Sequence, residues 1–321
     1  MATNLIFYFG FCNLIWTNLY FSYLCINNIK TMKSLKIFSI LTLFIALSGN
    51  LPAQVSSDWN RDLEILGKFL QSTPRSTVDS NMVYTARFFL NTPYVAYTLD
   101  TLDREDLTIN FREMDCVTFV ENCLALARTL QYPNPDMDCF ERELRLIRYR
   151  DGVLNDYPSR LHYTSDWIFD NVKKGIVEDI TYALGGQKFK PNVSFMSENY
   201  LKYKHLKDDP EAVEEIEAIE NEINKRGSYY FLPKQEIRTH QSLIKNGDII
   251  CFTTSVPGLD ISHLGMAYRH KGQLTFIHAS STAKKVIINP ESLIDYCSKI
   301  KSNTGIILLR SRSYNPENRN E

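Results

Sequence analysis

The stretch MDCVTFVENCLALART, residues 114–129, sets an Asp115-Cys116 pair in front of a run whose apolar residues Val117, Val120, Leu124 and Ala127 recur at helical spacing. The spacing predicts an amphipathic helix that opens at Cys116. The first turn of a helix presents N–H groups without intrahelical partners and the positive end of the helix dipole, which together stabilise an anion and lower a thiol's pKa. A cysteine held there is a candidate nucleophile, and the same N–H groups are candidate donors to an oxyanion.

Outward from this helix, the first half of the chain keeps a helical period. WNRDLEILGKFLQS (59–72) and DWIFDNVKKG (166–175) both read as helices. DDPEAVEEIEAIENEINKRG (208–227) carries a full set of signals: Asp209 as cap, Pro210 at the first turn, Val213, Ile216, Ile219 and Ile223 on one stripe, and Gly227 as stop. Its acidic residues read as a solvated face.

The second half switches to period two in GDIICFTTS (247–255), ISHLGMAYRH (261–270), QLTFIHASS (273–281), KKVIINP (284–290) and GIILLRSR (305–312). These runs predict an antiparallel sheet. Helices first and a meander of strands after them give an α+β fold, with the helices packed on one face of the sheet.

The hairpin within 260–281 has a register that can be worked out. If Lys271-Gly272 forms the two-residue turn, His263 lies opposite Ser280 and His278 opposite Gly265, so both histidines share one face as diagonal neighbours. His263 could then take the proton of Cys116 and return it to a leaving amine, while His278 orients that imidazole. Each residue has a bland alternative: a buried helix cysteine is usually a small hydrophobe, and a strand histidine is usually a bonded core or surface residue.

Composition narrows the function classes. There are 36 basic and 37 acidic residues in 321, and no basic stripe interleaves with aromatics, so a nucleic-acid partner is not expected. Residues 1–53 contain no acid and only Lys30, Lys33 and Lys36 as charges. Met32 to Lys36 supply a basic start, Ile37 to Leu47 a short apolar run and Ala53 a small-residue exit, the pattern of a signal peptide over 32–53. Residues 1–31 read as an upstream extension of the start, 56–315 as a single catalytic domain, and the product as exported, periplasmic and without a stable membrane span. Five cysteines remain after the leader, Cys116, Cys123, Cys139, Cys251 and Cys297; the number is odd, so at least one thiol stays free.

The blocks DCVTFVE (115–121), SHLGMAY (262–268) and FIHASS (276–281) resemble the signatures of the NlpC-type, papain-like cell-wall hydrolases. NTPYVAYTLD (91–100), FREMDCVTFVENCLALA (111–127), SRLHYTSDWIFDNVKKGIVEDIT (159–181) and GLDISHLGMA (258–267) are more narrowly similar to the N-acetylmuramoyl-L-alanine amidase-like family, once a domain of unknown function. The resemblance implies a papain-like α+β fold with extra helical insertions, and Cys116, His263 and His278 as nucleophile, base and orienting residue. It implies hydrolysis of the amide between N-acetylmuramic acid, plain or 1,6-anhydro, and L-alanine in peptidoglycan fragments, with no cofactor and no metal. Tyr94 matches a superfamily tyrosine beside the nucleophile, and Asn91 and Tyr97 stand where relatives more often carry glycine.

Asp115, Arg160, Ser165, Asp166, Trp167 and Ser262 join Tyr94 as candidate substrate-binding residues, the SRLHYTSDW block combining polar hydrogen-bonders with a flat aromatic face. The block reads equally as a capped turn with Ser165 as N-cap of the following helix. Three other functions compete: a D-glutamyl-diamino acid endopeptidase of the same superfamily, a zinc amidase using Cys116, His263, His278 and Asp115 or Asp260 as ligands, and an inactive muropeptide-binding module. The first of these relatives keep a serine after the cysteine, where this chain has Val117-Thr118.

Overall fold

The computed structural model describes residues 57–73, 76–227 and 229–316; the expected signal peptide and upstream extension lie outside them. Helices α1 (Ser57–Ser72), α2 (Val78–Phe88), α3 (Cys116–Thr129), α4 (Met137–Arg148) and α5 (Thr164–Lys173) precede every strand of the sheet. Helix α6 (Pro210–Arg226) is inserted between strands, and α7 (Leu293–Lys299) sits before the last one. Strands β1 (Val177–Asp179), β2 (Gln187–Phe189), β3 (Tyr229–Pro233), β4 (Ile249–Thr254), β5 (Ile261–His270), β6 (Gln273–Ser280), β7 (Lys285–Ile288) and β8 (Asn303–Ser311) form an eight-stranded sheet in the order β2-β3-β8-β4-β5-β6-β7, with β1 also on β8. All its pairings are antiparallel. The α+β expectation holds.

Strand alternation sorts the core into two layers. Ile249, Cys251, Leu264, Met266, Ile277, Ala279, Ile307 and Leu309 pack with α2, α3 and α4. Ile250, Phe252, Ala267, Phe276, Ile306 and Leu308 face the other way, onto Leu293 and Cys297 of α7. Helices therefore cover both faces, a correction to the expectation of one. The short α7 has too little periodic sequence to stand out beside the long helices.

Helix α3 opens where its sequence predicts. The Asp115 carboxylate accepts from Val117 N and Thr118 N at 3.0 and 2.9 Å, and Thr118 Oγ1 accepts from Asp115 N at 2.9 Å, closing a capping box. The helix is not amphipathic, however. Glu121, Asn122 and Arg128 are as buried as Val120 and Leu124, because α3 lies between the sheet and its sister helices. Its charges are satisfied internally, Glu121 by Arg148 at 2.7 Å and Arg128 by Glu143 at 2.6 Å.

Helix α6 has Asp209 as cap, Pro210 at its start and Gly227 in the left-handed region at φ 60°. Its acidic face is not wholly solvated: buried Glu220 accepts the Tyr163 hydroxyl at 2.6 Å and Ser197 N at 3.1 Å. Those bonds tie the insertion to the chain entering α5.

Candidate active site

The β5–β6 ladder runs from His270↔Gln273 to Met266↔Ile277, the register expected from a Lys271-Gly272 turn, and both turn residues have positive φ. The pairing stops at Met266. Beyond it His263 and His278 stand on the same face, His263 Nε2 to His278 Nδ1 at 2.6 Å. Gly265 makes this possible, since a Cβ there would meet the Phe276 ring at 2.8 Å and His278 Cβ at 3.4 Å.

Where the β5–β6 pairing has ended, the Leu264 N–H lies near enough to the Cys116 sulfur to favour its anion, as do the N–H groups of Cys116 and Val117 at the start of α3. Cys116, Asp115, Ser262 and His263 line one cleft of about 290 Å³, with Arg160 and Tyr97 also on its walls. The sheet rim and the helix start thus converge on the thiol.

Burial pushes the Cys116 thiol up to about 12, the Asp115 carboxylate adds to the rise, and the three N–H groups oppose it. This corrects the expectation of a lowered thiol pKa: the helix start acts in the predicted direction, but desolvation and the adjacent carboxylate outweigh it. Burial likewise holds His263 down at about 4 and His278 at about 3, where the neighbouring His263 lowers it further. At neutral pH the three groups rest as a neutral thiol and two neutral imidazoles.

Tyr94 lies beside Cys116, its hydroxyl pushed up to about 12 by burial and by the proximity of Cys116 and Asp115. The Ser262 hydroxyl donates to Phe252 O at 3.3 Å at the cleft rim. Arg160 is buried over the Tyr157 ring and donates to Asp100 at 2.5 Å, so its guanidinium anchors the loop that carries Tyr97.

Leu161, His162, Tyr163 and Thr164 of the SRLHYTSDW block also line the cleft, whereas its last three residues turn inward. Ser165, Asp166 and Trp167 are buried and do not line the cleft, a correction to their expected binding role. Asp166 is held between Arg150, at 2.6 Å, and Arg226. Trp167 belongs to the hydrophobic core. Nor is Ser165 the N-cap: α5 starts at Thr164, and buried Asp260 reaches across to accept Ser165 N at 2.6 Å. Since Asp260 also accepts Ile261 N at 2.7 Å, it fastens α5 to the strand that carries His263.

Two contributors had no signal in the sequence. Tyr296 of α7 packs against both imidazoles, its ring 6.5 Å from His263 and 6.1 Å from His278. The Leu264 N–H is a backbone group exposed by a ladder that ends early, which no side-chain pattern records.

The family of AmiA-like, N-acetylmuramoyl-L-alanine amidase-like proteins matches residues 84–306. No curated protein matches the chain. Among solved structures, an N-acetylmuramoyl-L-alanine amidase from Bacteroides uniformis is similar at 37% identity and a TM-score of 0.70, over 74% of this chain and 99% of that one. A Bacteroides fragilis protein provisionally called a xylanase aligns at 44% identity and a TM-score of 0.68, over 71% of this chain and 99% of that one. A Legionella pneumophila protein, 21% identical with a TM-score of 0.61 over 79% of this chain and 96% of that one, shares the fold. With a match that spans both the helix bearing Cys116 and the strands bearing the two histidines, the chain belongs to the N-acetylmuramoyl-L-alanine amidase-like family.

Proposed function

We propose that the protein is a papain-like cysteine amidase that cleaves the bond between N-acetylmuramic acid, plain or 1,6-anhydro, and the L-alanine of peptidoglycan fragments. The observation that carries the reading is the His263–His278 contact at 2.6 Å beside a helix-start Cys116 whose sulfur faces three backbone N–H groups. As the Cys116 sulfur attacks the lactyl carbonyl carbon, its proton passes to His263 Nδ1, the ring nitrogen not engaged by His278. Charge that builds on the carbonyl oxygen is met by N–H groups at the start of α3. The imidazolium returns the proton to the L-alanine nitrogen as the C–N bond breaks, and water, deprotonated by His263, then hydrolyses the thioester.

A zinc amidase is supported less well. The two imidazoles spend one nitrogen each on one another, which leaves His263 Nδ1 and His278 Nε2 on opposite sides of the pair rather than converging on an ion. A glycosidase would need two available carboxyls. Of the cleft's acids, Asp115 caps α3, Asp260 holds Ser165 and Ile261, Asp100 binds Arg160 and Glu121 binds Arg148.

The acid-free leader supports export to the periplasm. Mass spectrometry of defined muropeptides with the purified protein tests the activity: free stem peptide beginning at L-alanine is expected, abolished by Cys116→Ala and unaffected by chelator. A cut after D-glutamate would replace the amidase with an endopeptidase, and loss of turnover on chelation would favour the zinc enzyme. Binding without cleavage of any substrate would leave a muropeptide-binding module.

A further inference from the structure

We propose that Asn289 is a positioning residue whose Oδ1 accepts the Nε2 proton of His278 and so fixes the tautomers of both imidazoles. The inference rests on the Cys-His-His reading. Because His263 Nε2 and His278 Nδ1 share one hydrogen bond, the pair has two neutral arrangements. If His263 donates, its Nδ1 is bare and able to take a proton from Cys116, and His278 carries its own proton on Nε2. If His278 donates, the proton of His263 sits on Nδ1 and the base is blocked.

What lies beyond His278 decides between them. Its Nε2 is buried, and a proton carried there needs an acceptor within the protein. Asn289 N donates to Phe276 O at 2.8 Å, extending the β6–β7 register by one pair beyond Ile277↔Ile288 and setting the Asn289 side chain on the face of His278 as its diagonal neighbour. The Asn289 amide is near enough to raise the His278 pKa against the effect of burial.

The orientation of that amide is not arbitrary. Asn289 Nδ2 donates to Glu291 O at 3.0 Å, and a carbonyl can only accept, so the nitrogen must point there and the oxygen is left for His278. The buried Thr275 hydroxyl, shared between Asn289 O at 2.7 Å and Glu291 O at 2.8 Å, clamps the turn. An acceptor facing Nε2 selects the tautomer in which His263 is a competent base.

Nitrogen-15 NMR of the histidine side chains in the full protein tests this without requiring turnover. The native protein is expected to show His278 protonated on Nε2 and His263 on Nε2. In Asn289→Ala the His278 pattern should lose that preference, with kcat reduced by about 10-fold to 100-fold and KM unchanged. Asn289→Asp, which keeps the shape but adds a charge, should raise the histidine pKa and move the acidic limb of kcat/KM to higher pH by about one unit. Protonation of native His278 on Nδ1, or unchanged tautomers and pH profile in both variants, would overturn the proposal. If the native protein cleaves no muropeptide, the amidase reading fails while the NMR result still decides the role of Asn289.

Discussion

Asp115 both builds the site and opposes it. Its carboxylate caps α3, which puts Cys116 in place, yet the same charge adds to the rise in thiol pKa that burial causes. Asparagine caps a helix about as well as aspartate. Asp115→Asn is therefore expected to leave stability within about 1 kcal/mol while moving the midpoint of thiol alkylation to lower pH; an unchanged midpoint would remove Asp115 as a cause. Asn91 and Tyr97, read as departures at glycine positions, adopt left-handed φ of 71° and 63°. A glycine at this position would avoid a cost of about 1–2 kcal/mol that Tyr97 bears. Its ring is 75% exposed and contributes little packing in return. Tyr97→Gly should be neutral or stabilising by up to about 1 kcal/mol in chemical denaturation, whereas destabilisation by more than that would mean the exposed ring makes contacts worth more than the strain.

The β5–β6 hairpin shows how an element carries chemistry in its geometry. Its two-residue turn fixes the register, the register fixes the shared face of the histidines, and Gly265 leaves room for the Phe276 ring and His278. Gly265→Ala should cost about 1–3 kcal/mol through overpacking and should lower kcat as His278 is displaced from His263. Calorimetry together with kinetics separates the two effects, and a variant of native stability and native kcat would show that His278 does not depend on this gap. The end of the same ladder at Met266 is what frees the Leu264 N–H for the thiol. Helix α3 teaches the complementary lesson, for its polar residues look solvent-facing on a helical wheel and are in fact internal ion-pair partners.

Across the whole molecule, burial of the histidine pair links activity and stability to pH. In the proposed mechanism His263 acts as a base only when neutral, so with its pKa lowered to about 4 the acidic limb of kcat/KM should fall near pH 4, well below the 6.5 of a free imidazole. A limb near 6.5 in the free enzyme would contradict the buried site. Both histidines have folded pKa values below their unfolded ones, so as pH falls from about 6.5 the unfolded chain takes up protons that the folded one refuses, and stability drains away until about pH 3–4. A Tm that fell no more steeply over that interval in the native protein than in His278→Gln would count against it.

Local sequence was enough for the helix start at Cys116, the strands of the second half, the α6 caps and the same-face histidines. Each depends on neighbours a few residues apart, through capping bonds, 3.6-residue or two-residue periodicity, and a two-residue turn. Tertiary structure alone decided that α3 is buried all round, that Ser165, Asp166 and Trp167 face inward, and that α7 brings Tyr296 to the imidazoles. It also decided the sign of the thiol shift. Burial, long-range ion pairing and desolvation arise from residues distant in the chain, and a local pattern contains no record of what will pack over it.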